Sequence, residues 1–328
     1  MSIELLATIY AILIIAASIF GGIIPRFFKL THARMQTALS FVAGVILGIG
    51  VLHLVPHGFQ QFQMIDASRA IDRTVWWLLM GFLVMFFLQR LFHFHSHETP
   101  AEVEAGVLAD STCSHEDHDH SHHSHGHHEH SHHDHAHHDQ SFTWAGVFFG
   151  LTLHSLVDGI TLFAAIQAEE GHAHGWMVAG LGYFLAVFLH KPFDSLSIAS
   201  LMMASGWSAG WRTAVNWIYS LVAPLGMLMC YFGLNQAGDY WSTTLLAGTL
   251  CFAAGTCVCI STSDLLPELQ FHSHDRLKLS IALLLGLGLA WGLVFIENQG
   301  HDHHVDRNGS HHEHHGSDHD HTHGEHNH

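Results

Sequence analysis

Eight apolar segments, each close to the length that crosses a bilayer, constrain this chain more than any other feature. They fall at about 4–24, 37–58, 74–92, 142–167, 176–203, 211–233, 242–266 and 277–297. A hydrocarbon core of ~30 Å takes about 20 helical residues to cross. Backbone polar groups inside lipid must bond within their own segment, so the pattern predicts an all-α integral membrane protein with eight transmembrane helices. Composition agrees, with 48% hydrophobic and only 12% charged residues. The first segment carries Glu4 where a cleavable leader has a basic region. On that ground it reads as a retained helix.

Basic residues accumulate in short cytoplasmic loops. With the N-terminus outside, the inner loops hold Arg26, Lys29, Arg34, Arg90, Arg212, Arg276 and Lys278, against Arg69, Arg73 and Arg307 outside. The expected placement is therefore a multi-pass protein of the cell (inner) membrane with both termini extracytoplasmic. Four regions follow: helices one to three in 1–92, a cytoplasmic loop in 93–140, helices four to eight in 141–300, and an outer tail in 301–328.

The loop holds seventeen histidines and the tail twelve, in alternations such as His118-Asp119-His120 and His319-Asp320-His321. Such low-complexity sequence buries too little apolar surface to fold, and is expected to be disordered. Imidazole interspersed with carboxylate suits weak, multiple binding of divalent transition metals. The formal charge of -17 counts every histidine as neutral, so it names no partner. Eleven scattered Lys and Arg are too few for a nucleic-acid-binding face. Among the cysteines, Cys230, Cys251, Cys257 and Cys259 lie in apolar segments without a C-x-x-C pair, and read as small packing residues.

Against this apolar background two steps stand out: His154-x-x-x-Asp158 and His190-x-x-x-Asp194. A four-residue step puts imidazole and carboxylate on one helix face. An ionisable group at such depth costs at least ~2.5 kcal/mol, so it persists mainly where it has a function. Counted from the predicted segment ends, both steps fall near mid-membrane on consecutive antiparallel helices. Two neutral imidazoles and two carboxylates suit Zn(II), and tolerate Fe(II), Mn(II), Cd(II), Co(II) or Ni(II). Pro192, two residues after His190, leaves the carbonyl of Phe188 without a donor and predicts a discontinuous fifth helix. Gly159 permits close helix approach. Asn216 and Ser220, polar on the sixth segment, either line a pathway or bond within the bundle.

Two further steps flank this centre. His53-Leu-Val-Pro-His57 ends the second segment at the outer face, and Asp264-Leu-Leu-Pro-Glu268 ends the seventh at the inner face. They read as an outer ingress site (His53, His57) and an inner exit site (Asp264, Glu268) for a cation. Their matched form hints at an inverted repeat.

These motifs together resemble the ZIP family of zinc and iron permeases. Phe41-x-x-Gly44-x-x-Leu47-Gly48 running into His53-Leu-Val-Pro resembles that family's second helix. His154-Ser-Leu-Val-Asp158-Gly159 is similar to its fourth, His190-Lys191-Pro192-Phe-Asp194 to its fifth, and Asp264-Leu-Leu-Pro-Glu268 to its seventh. The resemblance implies a ZIP-like inverted-repeat bundle, with His154, Asp158, His190 and Asp194 as the transport site. It implies uptake of a divalent cation, zinc first, by alternating access, with the bilayer and the metal as partners and no resident cofactor. A homodimer is a separate expectation that no motif carries. Many members hold a second metal beside the first, using an Asn and an acid where this chain has Ser155 and Lys191. That departure matches the branch with His-Ser and His-Lys, and implies one ion per centre.

Two other functions fit parts of the pattern. A cation diffusion facilitator exporter also has histidine-rich loops and buried His/Asp pairs, but would show six spans and a folded C-terminal domain. An intramembrane zinc hydrolase would leave one metal position open for water, whereas four protein ligands close it.

Overall fold

In the computed structural model, residues 2–27, 32–92, 140–169, 178–236, 238–271 and 276–308 are described. The histidine-rich loop and the tail beyond 308 lie outside them, as do the side chains of Asp264 and Glu268. The described residues form helices and connecting turns only. They are α1 (Ile3–Phe27), α2 (His32–Ile49), a π-helical turn (Gly50–Leu54), α3 (Val55–Ile65), α4 (Ala70–Phe92), α5 (Gln140–Ala168), α6 (Leu181–Ala204), α7 (Ala209–Ser220), α8 (Val222–Gln236), α9 (Asp239–Phe271) and α10 (Arg276–Asn308).

These helices make eight membrane-length rods, because α2, the π turn and α3 form one continuous span and α7 with α8 another. Seven rods are long and apolar enough to cross a membrane on length and composition alone. The remaining one is α6, whose average is pulled down by His190, Lys191, Pro192 and Asp194.

The rods sort into two four-helix groups. Spans one, four, five and six pack on each other (α1 on α6, α5 on α8), and spans two, three, seven and eight do likewise (α2 on α10, α4 on α9). Contacts between the groups are sparser. Exchanging spans one to four with spans six, seven, eight and five maps each of these pairs onto another, with chain direction reversed. This is the signature of an inverted repeat.

Glycines set the closeness of the matching pairs. A side chain on Gly44 would run into the carbonyl of Leu283, and one on Gly286 into that of Phe41; Gly81 and Gly255 lie in the same reciprocal way against Phe252 and Leu78. Gly159 and Gly226 repeat the arrangement against Ala223 and Leu156. Helices in lipid gain little from hydrophobic exclusion, so backbone-to-backbone approach at small residues is what holds them together.

Two sequence expectations are corrected. First, α6 runs unbroken through Pro192 from Leu181 to Ala204. Span one presses on it there, since a side chain on Gly21 would collide with the Pro192 backbone. The proline removes one hydrogen bond, and the close packing of span one keeps the helix continuous.

The irregular helix is instead span two. The Val55 N–H bonds back to the Gly50 carbonyl, five residues away, just before Pro56. Widening this turn accommodates a proline that cannot donate to Leu52. Second, span two does not end at His57 but continues to Ile65. His53 therefore lies well inside the bundle, only 2% exposed. Beyond it the chain turns at Asp66, whose carboxylate accepts bonds from the Ser68 hydroxyl at 2.7 Å and backbone N–H at 3.1 Å. The hydroxyl bond holds the Asp66 carboxyl below the usual carboxylate range.

Candidate metal centre

The two central steps meet as their spacing predicts. α5 brings His154 and Asp158 to one face, α6 brings His190 and Asp194, and the ligand atoms of all four lie within 4.8 Å of one another. Asp158 is the hub. Its Oδ2 is 3.4 Å from His154 Nε2 and 3.3 Å from His190 Nε2. Ligands of a tetrahedral zinc ion with bonds near 2.0–2.1 Å stand about 3.3 Å apart, so this spacing is that of a coordination shell.

The ring orientation points the same way. His190 Nδ1 lies 2.8 Å from the Ala186 carbonyl, which can only accept, so Nδ1 carries the proton and donates. That leaves Nε2 as the nitrogen facing Asp158 Oδ2, and in the neutral ring it is the one free to take a metal.

Lys191 is fully buried between the carboxylates. Its Nζ lies 3.5 Å from Asp158 Oδ2 and 3.6 Å from Asp194 Oδ2, and 5.1 Å from the centre of the Tyr219 ring. The cation offsets part of the charge of two buried acids, and the ring face adds to its stabilisation. Ser155, the other residue at the second-metal positions, is buried in α5 beside His154.

Two tyrosines that the sequence did not single out complete the surroundings. The Tyr183 hydroxyl donates to Asp158 Oδ1 at 3.3 Å, and the Tyr219 hydroxyl to Asp194 Oδ2 at 3.0 Å. Tyr183 stands two helical turns before His190 on the same face, a signal available in sequence but shared with ordinary packing residues. Tyr219 comes from span six, which no local pattern connects to Asp194. On the same span, Asn216 donates to the Ile19 carbonyl and Ser220 to the Trp217 carbonyl, so both bond within the bundle.

The outer pair gains a partner. His53 and His57 approach with ring centroids 4.7 Å apart, and Glu169, just after α5, reaches His53 Nε2 through Oε1 at 2.9 Å. The three form a second group whose ligand atoms lie within 4.8 Å. Glu169 Oε2 also accepts from the Gly180 N–H at 2.7 Å, which ties the end of α5 to the start of α6. Sequence reading missed Glu169 because it sits at a helix end, where an acidic residue is unremarkable.

Above these groups lies a cavity of about 740 Å³ at the ends of spans one, two, four, six and seven, with Glu4, Gln61, Gln167, Asn235 and Thr243 in its wall. At the opposite end of span seven, the carriers of the expected exit pair follow a run in which the Ser263 hydroxyl and Cys259 thiol donate to Gln89 Oε1 at 2.9 and 3.5 Å.

Fold and centre together define a multi-pass membrane protein built around a His/Asp cluster that could hold a metal ion. Comparison with known sequences narrows this further: the family model for the ZIP zinc transporter matches residues 5–293, and the chain belongs to that family. It is 28% identical over 152 residues to zinc transporter ZIP9-B of Xenopus laevis, covering 45% of each chain. It is 28% identical over 151 residues to human zinc transporter ZIP1, covering 45% of this chain and 43% of that one. With zinc transporter 3 of Arabidopsis thaliana the match is 24% over 292 residues, 84% of this chain and 80% of that protein. The chain thus spans somewhat under half the length of the Xenopus and human relatives. The relatives it matches are named as zinc transporters.

Proposed function

We propose that this protein moves divalent cations, zinc first, from outside into the cytoplasm through a single-ion centre made by His154, Asp158, His190 and Asp194. The observation that carries this reading is the 3.3–3.4 Å spacing of both histidine Nε2 atoms about one oxygen of Asp158. Neutral imidazoles, two carboxylates and the Lys191 ammonium give the empty shell a net charge of about -1, which one divalent ion reverses; a second would leave an excess of positive charge in a low-dielectric interior. That favours one ion over two.

All four ligands belong to spans four and five, hence to one helix group. An aqueous ion would shed water for these ligands, and shifting of that group against spans two, three, seven and eight would change which side the centre faces. The 740 Å³ outer cavity and the His53/His57 pair beneath it supply a route in. Asp264 and Glu268 would receive the ion on the inner side, and the 93–140 loop would capture it. Fe(II), Mn(II), Cd(II), Co(II) and Ni(II) would compete with zinc for the same ligands.

The test is zinc flux into sealed vesicles carrying an internal fluorescent indicator. Wild type should fill the vesicles, while His190→Ala should not rise above protein-free controls. Normal filling by His190→Ala would refute the centre, and outward movement against the imposed gradient would support an exporter instead.

A further inference from the structure

The outer group differs from the centre in which helices supply it. His53 and His57 stand on span two, in one helix group, whereas Glu169 closes the span four to span five hairpin of the other. A ligand held by all three is attached to both groups at once. We infer that His53, His57 and Glu169 form a second divalent-metal site whose bound ion ties the two helix groups together and holds the outer path closed.

The ligand set is right for this. Two imidazoles and a carboxylate are a common zinc-binding triad. His53 is 2% and Glu169 7% exposed, so an ion here loses most of its water to protein. The 2.9 Å between His53 Nε2 and Glu169 Oε1 is the distance of a shared proton, and parting them to the ~3.3 Å of a zinc shell takes only a few tenths of an ångström. Gly182 makes the approach of span five feasible: a side chain there would already touch His53 Nε2 at 3.5 Å. Glu169 is in turn fixed by the Gly180 N–H, and Gly180 holds a left-handed φ of 73° that favours glycine.

The conformation in which the triad is assembled is closed toward the outside. Between the triad and the centre, Ile49, Leu162, Ala186 and Val187 are at most 1% exposed and Tyr183 2%. An ion bound by both groups stabilises the state in which its ligands converge, because a ligand shifts an equilibrium by its differential affinity for the two states. Zinc at the triad therefore favours this closed state over any in which span two has parted from the hairpin. The inference takes its meaning from the transport reading, but its test reads conformation and not flux, so the two fail separately.

Spin labels carried by noncanonical amino acids at Met64, on the outer end of span two, and Phe232, on the outer end of span six, report the separation of the groups by double electron–electron resonance. Both positions are exposed, at 68% and 56%. The measurement uses the full chain in nanodiscs with His190→Ala, so that central binding does not contribute, and titrates zinc alone. Zinc should shrink the population at longer distance at least threefold. Adding Glu169→Gln, which can still accept from Gly180, or His57→Ala should abolish that response. No response in the His190→Ala protein, or a response that survives both added substitutions, would overturn the proposal.

Discussion

The centre and the outer triad contain the same chemistry in different mechanical settings. The centre draws every ligand from spans four and five, so an ion bound there moves with one group of helices. The triad draws His53 and His57 from one group and Glu169 from the other, so an ion bound there resists their relative movement. A ligand set confined to one body suits carrying, and a set shared between two suits holding. Composition does not distinguish them; the element that delivers each side chain does.

The strongest challenge to this contrast is at Asp158. Its Oδ2 faces both central histidines and Lys191, and its Oδ1 accepts from Tyr183. Asp158→Asn keeps the shape but removes the charge that draws the metal and pairs the buried ammonium. Zinc uptake into vesicles should fall by two orders of magnitude or more, since loss of even an outer-shell partner costs about 10–100-fold. A decrease of only a few-fold would mean that Asp158 is a structural partner of Lys191 and not a ligand.

Lys191 comes next. Replacing it with an acid restores a ligand where the chain now has a cation, so Lys191→Glu should bind a second ion beside the first. Anomalous scattering from zinc-soaked crystals reads this by position, free of the histidine-rich segments, and should give two central peaks against one for wild type. Uptake should drop roughly tenfold, because an ion held by additional charge leaves more slowly. A single peak in the variant would detach Lys191 from the question of ion number.

His57→Ala should cost less. It removes one member of the site that holds the two groups together and leaves the centre intact, so uptake at low zinc should stay within about fivefold of wild type while the slowing expected of wild type at high zinc, where the triad fills, should disappear. A loss as deep as that of Asp158→Asn, unrelieved at high zinc, would make the triad an obligatory station and erase the difference drawn above.

How far the sequence foretells these features depends on where each interaction is encoded. His154, Asp158, His190 and Asp194 were legible because a four-residue step is a local fact and buried charge in apolar sequence is conspicuous. The inverted repeat showed in the paired His-x-x-Pro-His and Asp-x-x-Pro-Glu steps. Glu169 was not legible, since its role depends on span two arriving beside the hairpin; nor was Tyr219, which reaches Asp194 from another span. Pro192 was misjudged, and the irregularity at Pro56 not foreseen, for a related reason. Pro192 breaks nothing because Gly21 lets span one brace it, whereas Pro56 is absorbed by a π turn whose position depends on the packing of Gly50 against Cys257. Local chemistry places a helix-weakening residue, and tertiary contact decides whether the helix yields.

The smallest effect concerns the residue between the two sites. Tyr183 is buried next to Gly182, which abuts His53, and its hydroxyl ends on Asp158. It thus links the neighbourhood of the triad to the hub of the centre. Tyr183→Phe keeps the ring, and so keeps the outer path filled, while removing the donor to Asp158 Oδ1. A bond of this kind contributes about 1–2 kcal/mol net, which at the metal would appear as a change of about 5–30-fold if it acted on binding alone. Asp158 also faces Lys191 and both histidines, which can take up much of the loss, so the expected outcome is an increase of about threefold in the zinc concentration for half-maximal uptake, with maximal rate unchanged. A drop in maximal rate without that increase would assign the hydroxyl to the movement between states. The link between triad and centre would then be mechanical rather than a matter of metal affinity.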